Sequence, residues 1–196
     1  KAIDVVLKNV DKNREEGVCK LIDFMQKYMS EEKLDVNYDK AREMVCNKDG
    51  AFNKYINRVL DEVDPHVLKT MALNLGFEAF MYGTKTIRKN REKYDCNVPW
   101  LILMDPTSAC NLHCTGCWAA EYGNKLNLTF DEMDRVVQQG KELGTYLYMF
   151  TGGEPLVRKA DLIKLCEKHN DCAFLSFTNG TLVDGAFCQE LKRVGN

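Results

Sequence analysis

The sequence predicts an α/β protein in which a helical N-terminal region precedes a parallel sheet. Two observations predict it. Glycine and charge divide unevenly near residue 97: residues 1–97 hold 4 of the 13 glycines, 18 Lys+Arg and 17 Asp+Glu, whereas residues 98–196 hold 9 glycines, 9 Lys+Arg and 12 Asp+Glu. The second part also alternates short apolar runs with amphipathic ones, the pattern of parallel strands covered on both faces by helices. We therefore expect a helical region over 1–97 and a strand–helix core over 98–196.

In the first part Val18, Leu21, Ile22, Met25 and Met29 recur at helical spacing, as do Phe52, Tyr55, Ile56, Val59, Leu60 and Val63. Asp64-Pro65 sets an N-cap residue before a proline at the first helical position. The helix it opens should run through Val67, Leu68, Met71, Ala72 and Leu75 toward Tyr94 and close on the basic residues Lys85, Arg88, Lys89, Arg91 and Lys93. Cations favour a helix C-terminus, so this run reads as a solvated helix end.

In the second part Val98–Thr107 is a first strand leading into a cysteine-bearing loop. Thr129 opens a helix, with Glu132 completing a capping box and Phe130, Met133, Val136, Val137 and Leu143 forming its apolar face. Thr145–Thr151 is a second strand, followed by Gly152-Gly153-Glu154-Pro155 and a helix carrying Leu162, Ile163, Leu165 and Cys166. Ala173–Thr178 is a third strand, ending in Asn179-Gly180-Thr181. A last helix begins near Asp184 and is expected to be still running at Gly195-Asn196.

With 196 residues, 45% hydrophobic and 29% charged, the chain has the composition of a folded globular protein. A net charge of -2 supplies no whole-chain attraction to nucleic acid or anionic membranes. The longest apolar stretches, Trp100–Met104 and Tyr146–Phe150, are far short of the roughly 20 residues of a spanning helix. Nine cysteines, an odd number with no visible secretory signal, point to a reducing compartment rather than a disulfide framework. Cys19, Cys46, Cys96, Cys166, Cys172 and Cys188 lack ligand spacing and read as buried thiols.

The remaining three, Cys110, Cys114 and Cys117, form a C-x3-C-x2-C run. Three thiolates on one short loop suit an iron–sulfur cluster, or zinc with a further ligand. The neighbouring His113 reads as a loop residue beside such a site. The cysteine loop, Gly152–Pro155 and Thr178–Thr181 each follow one of three successive strands, which in a parallel sheet sets all three on one ligand-binding rim. Gly152 and Gly153 would let backbone approach a ligand and expose N–H groups, and Glu154 would offer a carboxylate to a cation.

Together these motifs resemble the radical S-adenosylmethionine (radical SAM) superfamily, as does the stretch Asp105–Leu112 around the first cysteine. The resemblance covers about half the chain, from Val98 onward. It implies the first three βα units of a six-unit, TIM-like partial barrel, and so a fragment of a longer protein. It implies that Cys110, Cys114 and Cys117 ligate a [4Fe–4S] cluster whose open iron chelates S-adenosylmethionine. Gly152, Gly153 and Glu154 would hold the methionyl ammonium, Pro155 would fix the turn, and Thr178 and Asn179 would lie along the cofactor's polar edge. The implied chemistry is reductive cleavage of the cofactor to methionine and a 5′-deoxyadenosyl radical, which takes hydrogen from a substrate. A flavodoxin- or ferredoxin-like electron donor and a cytoplasmic setting follow from the same resemblance. The family often has an aromatic residue just before the third cysteine, where this chain has Gly116; Trp118 and Tyr122 are the nearby aromatics, for adenine or for packing under the loop. From another class, a non-catalytic zinc or iron–sulfur module with a helical partner-docking region would carry the same cysteines.

Overall fold

A computed structural model describes residues 13–29, 37–119, 122, 123 and 125–196. These fall into two compact units, one within residues 1–69 and one over 70–196. The second unit therefore starts well before the composition shift near residue 97, because helical residues before that shift pack into the core of the sheet.

The first unit contains α1 (Arg14–Met29), α2 (Tyr38–Cys46) and α3 (Ala51–Glu62). Asn37 caps α2 by accepting from the Lys40 amide. Arg42 bridges α2 to α1 through Asp23 at 2.7 Å, and Arg14 of α1 pairs with Asp61 of α3. The predicted apolar face of α3 is only partly used: Phe52 and Tyr55 stay exposed, while Asn53 is buried. Its side-chain amide donates to the Val45 carbonyl at the end of α2, meeting an acceptor that the helix terminus leaves open.

From α4 (Pro65–Met71) the chain continues as a π-helical stretch, Ala72–Gly83, and then α5 (Thr84–Tyr94). Asn90 of α5 donates to the last carbonyls of the following helix, Glu142 and Leu143. Three short strands, β1 (Leu101–Met104), β2 (Leu147–Phe150) and β3 (Ala173–Ser176), alternate with helices α6 (Phe130–Leu143), α7 (Lys159–Lys168) and α8 (Gly185–Val194). A 3₁₀ turn, Pro155–Arg158, precedes α7. Both strand pairings are parallel, with Leu101 opposite Leu147 and Leu147 opposite Ala173. Among the described residues the sheet has three strands in the order β1-β2-β3, an open arc rather than a closed barrel.

Each strand is shorter than its apolar run predicts, and side-chain bonds take over at some of the flanking residues. Thr145 Oγ1 donates to the Pro99 carbonyl, for example, closing the lower edge of the sheet. The core gathers Met133 and Val137 of α6, Leu162 and Leu165 of α7, Phe187 of α8 and Ala79 of the π-helical stretch around Leu147, Tyr148 and Phe150 of β2. Phe174 stacks on Phe150, with ring centroids 5.7 Å apart. Tyr148 is fully buried, and its hydroxyl is matched to the carbonyls of Val137 and Thr145. Asn74 reaches from the π-helical stretch to the carbonyls of Asn170 and Cys172, fixing the start of β3.

The capping box predicted at Thr129 and Glu132 is present, and Asp184 caps α8. The expectation that α8 is still running at the last residues is corrected: Gly195 takes a left-handed conformation and ends the helix. Asn196 turns back, its carbonyl accepting from the Phe174 amide. The expectation of buried thiols holds for Cys166 and Cys172 alone; Cys19 is half-buried, and Cys46, Cys96 and Cys188 are exposed. Burial pushes the Cys166 thiol up to about 12, which leaves it inert as a nucleophile or ligand.

Candidate functional site

Parallel pairing sends the loops after β1, β2 and β3 out from one edge of the sheet. The ladder continues slightly past the strands: the Thr151 amide donates to Met104 O and the Phe177 amide to Phe150 O. All three predicted motifs therefore leave the sheet side by side, at the rim where α/β folds bind ligands.

The cysteine loop is closed at its base. Ser108 N donates to Leu126 O, Leu128 N to Pro106 O, and Thr107 pairs with Asn127 in an antiparallel bridge. Fully buried Thr107 turns the chain there, its hydroxyl accepting from the Ala109 amide and meeting Asn127 Oδ1 at 2.6 Å. Beyond this base lie Cys110 and Cys117, half-buried, and Cys114, exposed.

Gly152 and Gly153 let the loop seat against β2. Gly152 has φ +100°, and a Cβ there would lie 2.8 Å from Thr107 O. A Cβ on Gly153 would overlap the Ala109 carbonyl. The close approach makes two backbone bonds, Gly153 N to Thr107 O at 3.0 Å and Glu154 N to Ala109 O at 2.9 Å. Of the N–H groups expected to face a ligand, those of Gly152 and Gly153, the second is thus spent on the cysteine loop, as is the Glu154 amide.

Glu154 is 1% exposed. Its Oε1 accepts from the Leu156 amide and the Thr178 hydroxyl, and its Oε2 from the Asn179 amide, at 2.9, 2.7 and 2.8 Å. The carboxylate joins the turn after β2 to the turn after β3. Asn179 extends the tie: its side chain donates to Asn111 Oδ1, beside the first cysteine, and accepts from both the amide and the hydroxyl of Thr181. Asn111 in turn donates to the Thr181 hydroxyl at 2.7 Å. Asn111 and Thr181 lie inside the predicted cysteine loop and third rim turn, but the sequence assigned neither of them a role of its own.

One cavity of about 330 Å³ brings together Cys110, Cys114, Cys117, His113, Gly152 and Gly153. Glu154, Pro155, Thr178 and Asn179 lie outside its lining; Thr178 instead borders a mainly apolar cavity of about 300 Å³ beside β3. Among the described residues no three His, Cys, Asp or Glu side chains converge on a single point, so the thiols share a cavity and not a preformed coordination sphere. Three free thiols around one space of this size nonetheless match the donor chemistry of a thiolate-held cluster. Gly116, at φ +73° with open space around it, contributes no side chain. Trp118 and Tyr122 are exposed and pack edge to face on each other, 5.9 Å between centroids.

A cysteine-bearing loop, a diglycine turn and a polar turn on one parallel rim define a protein class, and the family comparison agrees. Residues 104–196, just under half of the chain, match the model of the Radical SAM superfamily. Among curated proteins, the chain is 29% identical over 126 residues to the Fe-coproporphyrin III synthase of Methanosarcina barkeri, covering 60% of this chain and 31% of that protein. It is 31% identical over 111 residues to a GTP 3',8-cyclase of Clostridium perfringens, covering 54% and 34%. To the AdoMet-dependent heme synthase of Methanosarcina barkeri it is 30% identical over 103 residues, covering 50% and 29%. The chain thus spans about a third of the length of these relatives. No solved structure matches the chain. Among the described residues no helix is long and apolar enough to cross a membrane.

Proposed function

We propose that this chain carries the cofactor-binding part of a radical SAM enzyme. The observation that supports it most directly is the single cavity lined by Cys110, Cys114, Cys117, Gly152 and Gly153. In this reading the three thiolates hold a [4Fe–4S] cluster. Gly152 and Gly153 line the same cavity and present backbone edge to the cofactor's methionyl end. Such a cluster with bound S-adenosylmethionine supplies one-electron chemistry that ends in hydrogen abstraction from a substrate.

The residues around the cavity have positioning roles. Glu154, saturated by Leu156, Thr178 and Asn179, locks the second rim turn to the third, while Pro155 starts the 3₁₀ turn that follows. Asn179 and Asn111 then hold the first-cysteine end of the loop against that frame. This differs from direct contact between the Glu154 carboxylate and the methionyl ammonium. Trp118 and Tyr122 stand exposed beside the loop and offer the nearest aromatic faces to an adenine ring. The electron donor is a flavodoxin- or ferredoxin-like protein and the setting cytoplasmic.

Anaerobic reconstitution tests the reading. The protein should turn brown, bind about four iron and four sulfide per chain, change its EPR signal on adding S-adenosylmethionine, and form 5′-deoxyadenosine with dithionite. A colourless protein holding stoichiometric zinc would sink it in favour of a zinc module.

A further inference from the structure

Outside the rim, two other cysteines stand together. Cys19 of α1 and Cys46 at the end of α2 are 27 residues apart in sequence, yet their sulfurs are 3.7 Å apart. Their closeness follows from the antiparallel register of the two helices. Glu15 of α1 pairs with Lys48 just beyond α2, and Asp23 of α1 pairs with Arg42 of α2, so ion pairs bracket the thiols on both sides. Gln26, one turn further along α1, also accepts from Arg42. Neither sulfur is in a disulfide, Cys46 is exposed, and Cys19 lies half-buried against it.

We propose that Cys19 and Cys46 are a redox-active dithiol that closes to an intramolecular disulfide by exchange with a low-molecular-weight disulfide. The exposed Cys46 thiolate attacks one sulfur of the small disulfide, forming a mixed disulfide and releasing one small thiolate. The Cys19 thiolate then attacks Cys46 Sγ, forming the Cys19–Cys46 bond and expelling the second small thiolate. The protein loses two electrons and two thiol protons, and the small disulfide is reduced to two thiols. The order follows from accessibility and acidity: burial, and then the adjacent Cys46, push the Cys19 thiol above its ordinary range, which makes it the resolving partner. Bond formation needs the sulfurs to close from 3.7 Å to about 2 Å. The product staples α1 to α2 and resists their separation. The proposal is independent of the radical SAM reading.

Peptide mapping tests it. The fully reduced protein is treated with oxidised glutathione, alkylated and digested with trypsin. The expected principal product joins Glu15–Lys20 to Glu43–Lys48, is absent after dithiothreitol, and accompanies a rise of several degrees in the thermal midpoint of the first unit. Cys19→Ser should leave Cys46 as a lasting glutathione adduct, at least about tenfold more abundant than in the unsubstituted protein. Recovery of Cys19 and Cys46 as separate thiols, as separate glutathione adducts, or in scrambled pairs with Cys96 or Cys188 overturns the proposal. The map of the unsubstituted protein decides this even if the variant fails to fold.

Discussion

Glu154, in the turn after β2, has a carboxylate with three donors and almost no water. Truncating it would leave the Leu156 and Asn179 amides and the Thr178 hydroxyl without their acceptor. Glu154→Ala should therefore destabilise the second unit by about 3 kcal/mol, read as a lowered urea midpoint with unchanged slope. Thr178 is replaceable in part, since the residue as a whole is exposed to water. Gly153 is not replaceable: a methyl group would push into Ala109 O, a backbone atom of the cysteine loop. Gly153→Ala should part that loop from β2, costing about 2 kcal/mol and lowering the iron content after reconstitution. A variant with normal stability and full iron would contradict the packing described. The diglycine reads in sequence as a flexible turn, but its use as a seat for a loop over 40 residues earlier does not, because that depends on Thr107 and Ala109 carbonyls no motif marks.

At the scale of elements, α6 and α7 are tied by Asp134. Its carboxylate accepts from Lys168 at 2.8 Å and Gln138 at 2.6 Å, and lies 2.8 Å from His169 Nε2. Burial alone would raise its pKa, but the bonds to Lys168 and His169 outweigh burial and hold it below the usual carboxylate range. A depressed native pKa means the unfolded chain takes up its proton first as pH falls. The contribution is full above the ordinary carboxylate value and disappears as pH drops through the native value. Asp134→Asn should cost about 1–2 kcal/mol at neutral pH, discounted because Lys168 is half-exposed, and should flatten the acid limb of a stability–pH curve below about pH 4. An acid limb unchanged by the substitution would locate that titration elsewhere. Helix starts such as Thr129 and Asp184 were legible because capping is local, contained within four residues. Helix partners were not legible, since the residues that join α6 to α7 carry no periodic signal of their own.

For the molecule as a whole, strand–helix alternation and parallel order were readable because strands covered on both faces must be continuously apolar. The rim followed from that order, and with it the meeting of three loops. Compact units were less readable. Composition marks where glycine-rich turns begin near residue 97, whereas packing follows burial, and Leu75 and Ala79 are already against the core. Exposure of single cysteines also escaped the sequence, because a thiol carries no polarity that would mark it as surface or interior.

The cysteine loop has a secured base and an unsecured crown. Bonds among Pro106, Ser108, Leu126 and Leu128 close the base, and Asn111 anchors the first-cysteine side. From Leu112 to Ala119, among the described residues, the one backbone amide with an internal acceptor is that of Cys117, donating to Cys114 O. Solvent deuterium should therefore enter the metal-free loop unevenly, within seconds across the crown and far more slowly at Ser108 and Leu128. If Cys114 and Cys117 hold a cluster with Cys110, loading should slow exchange over the crown and leave the base unchanged. Two of the three ligands would then be recruited by the metal, so the last stretch of backbone to become ordered would be the one that carries the chemistry.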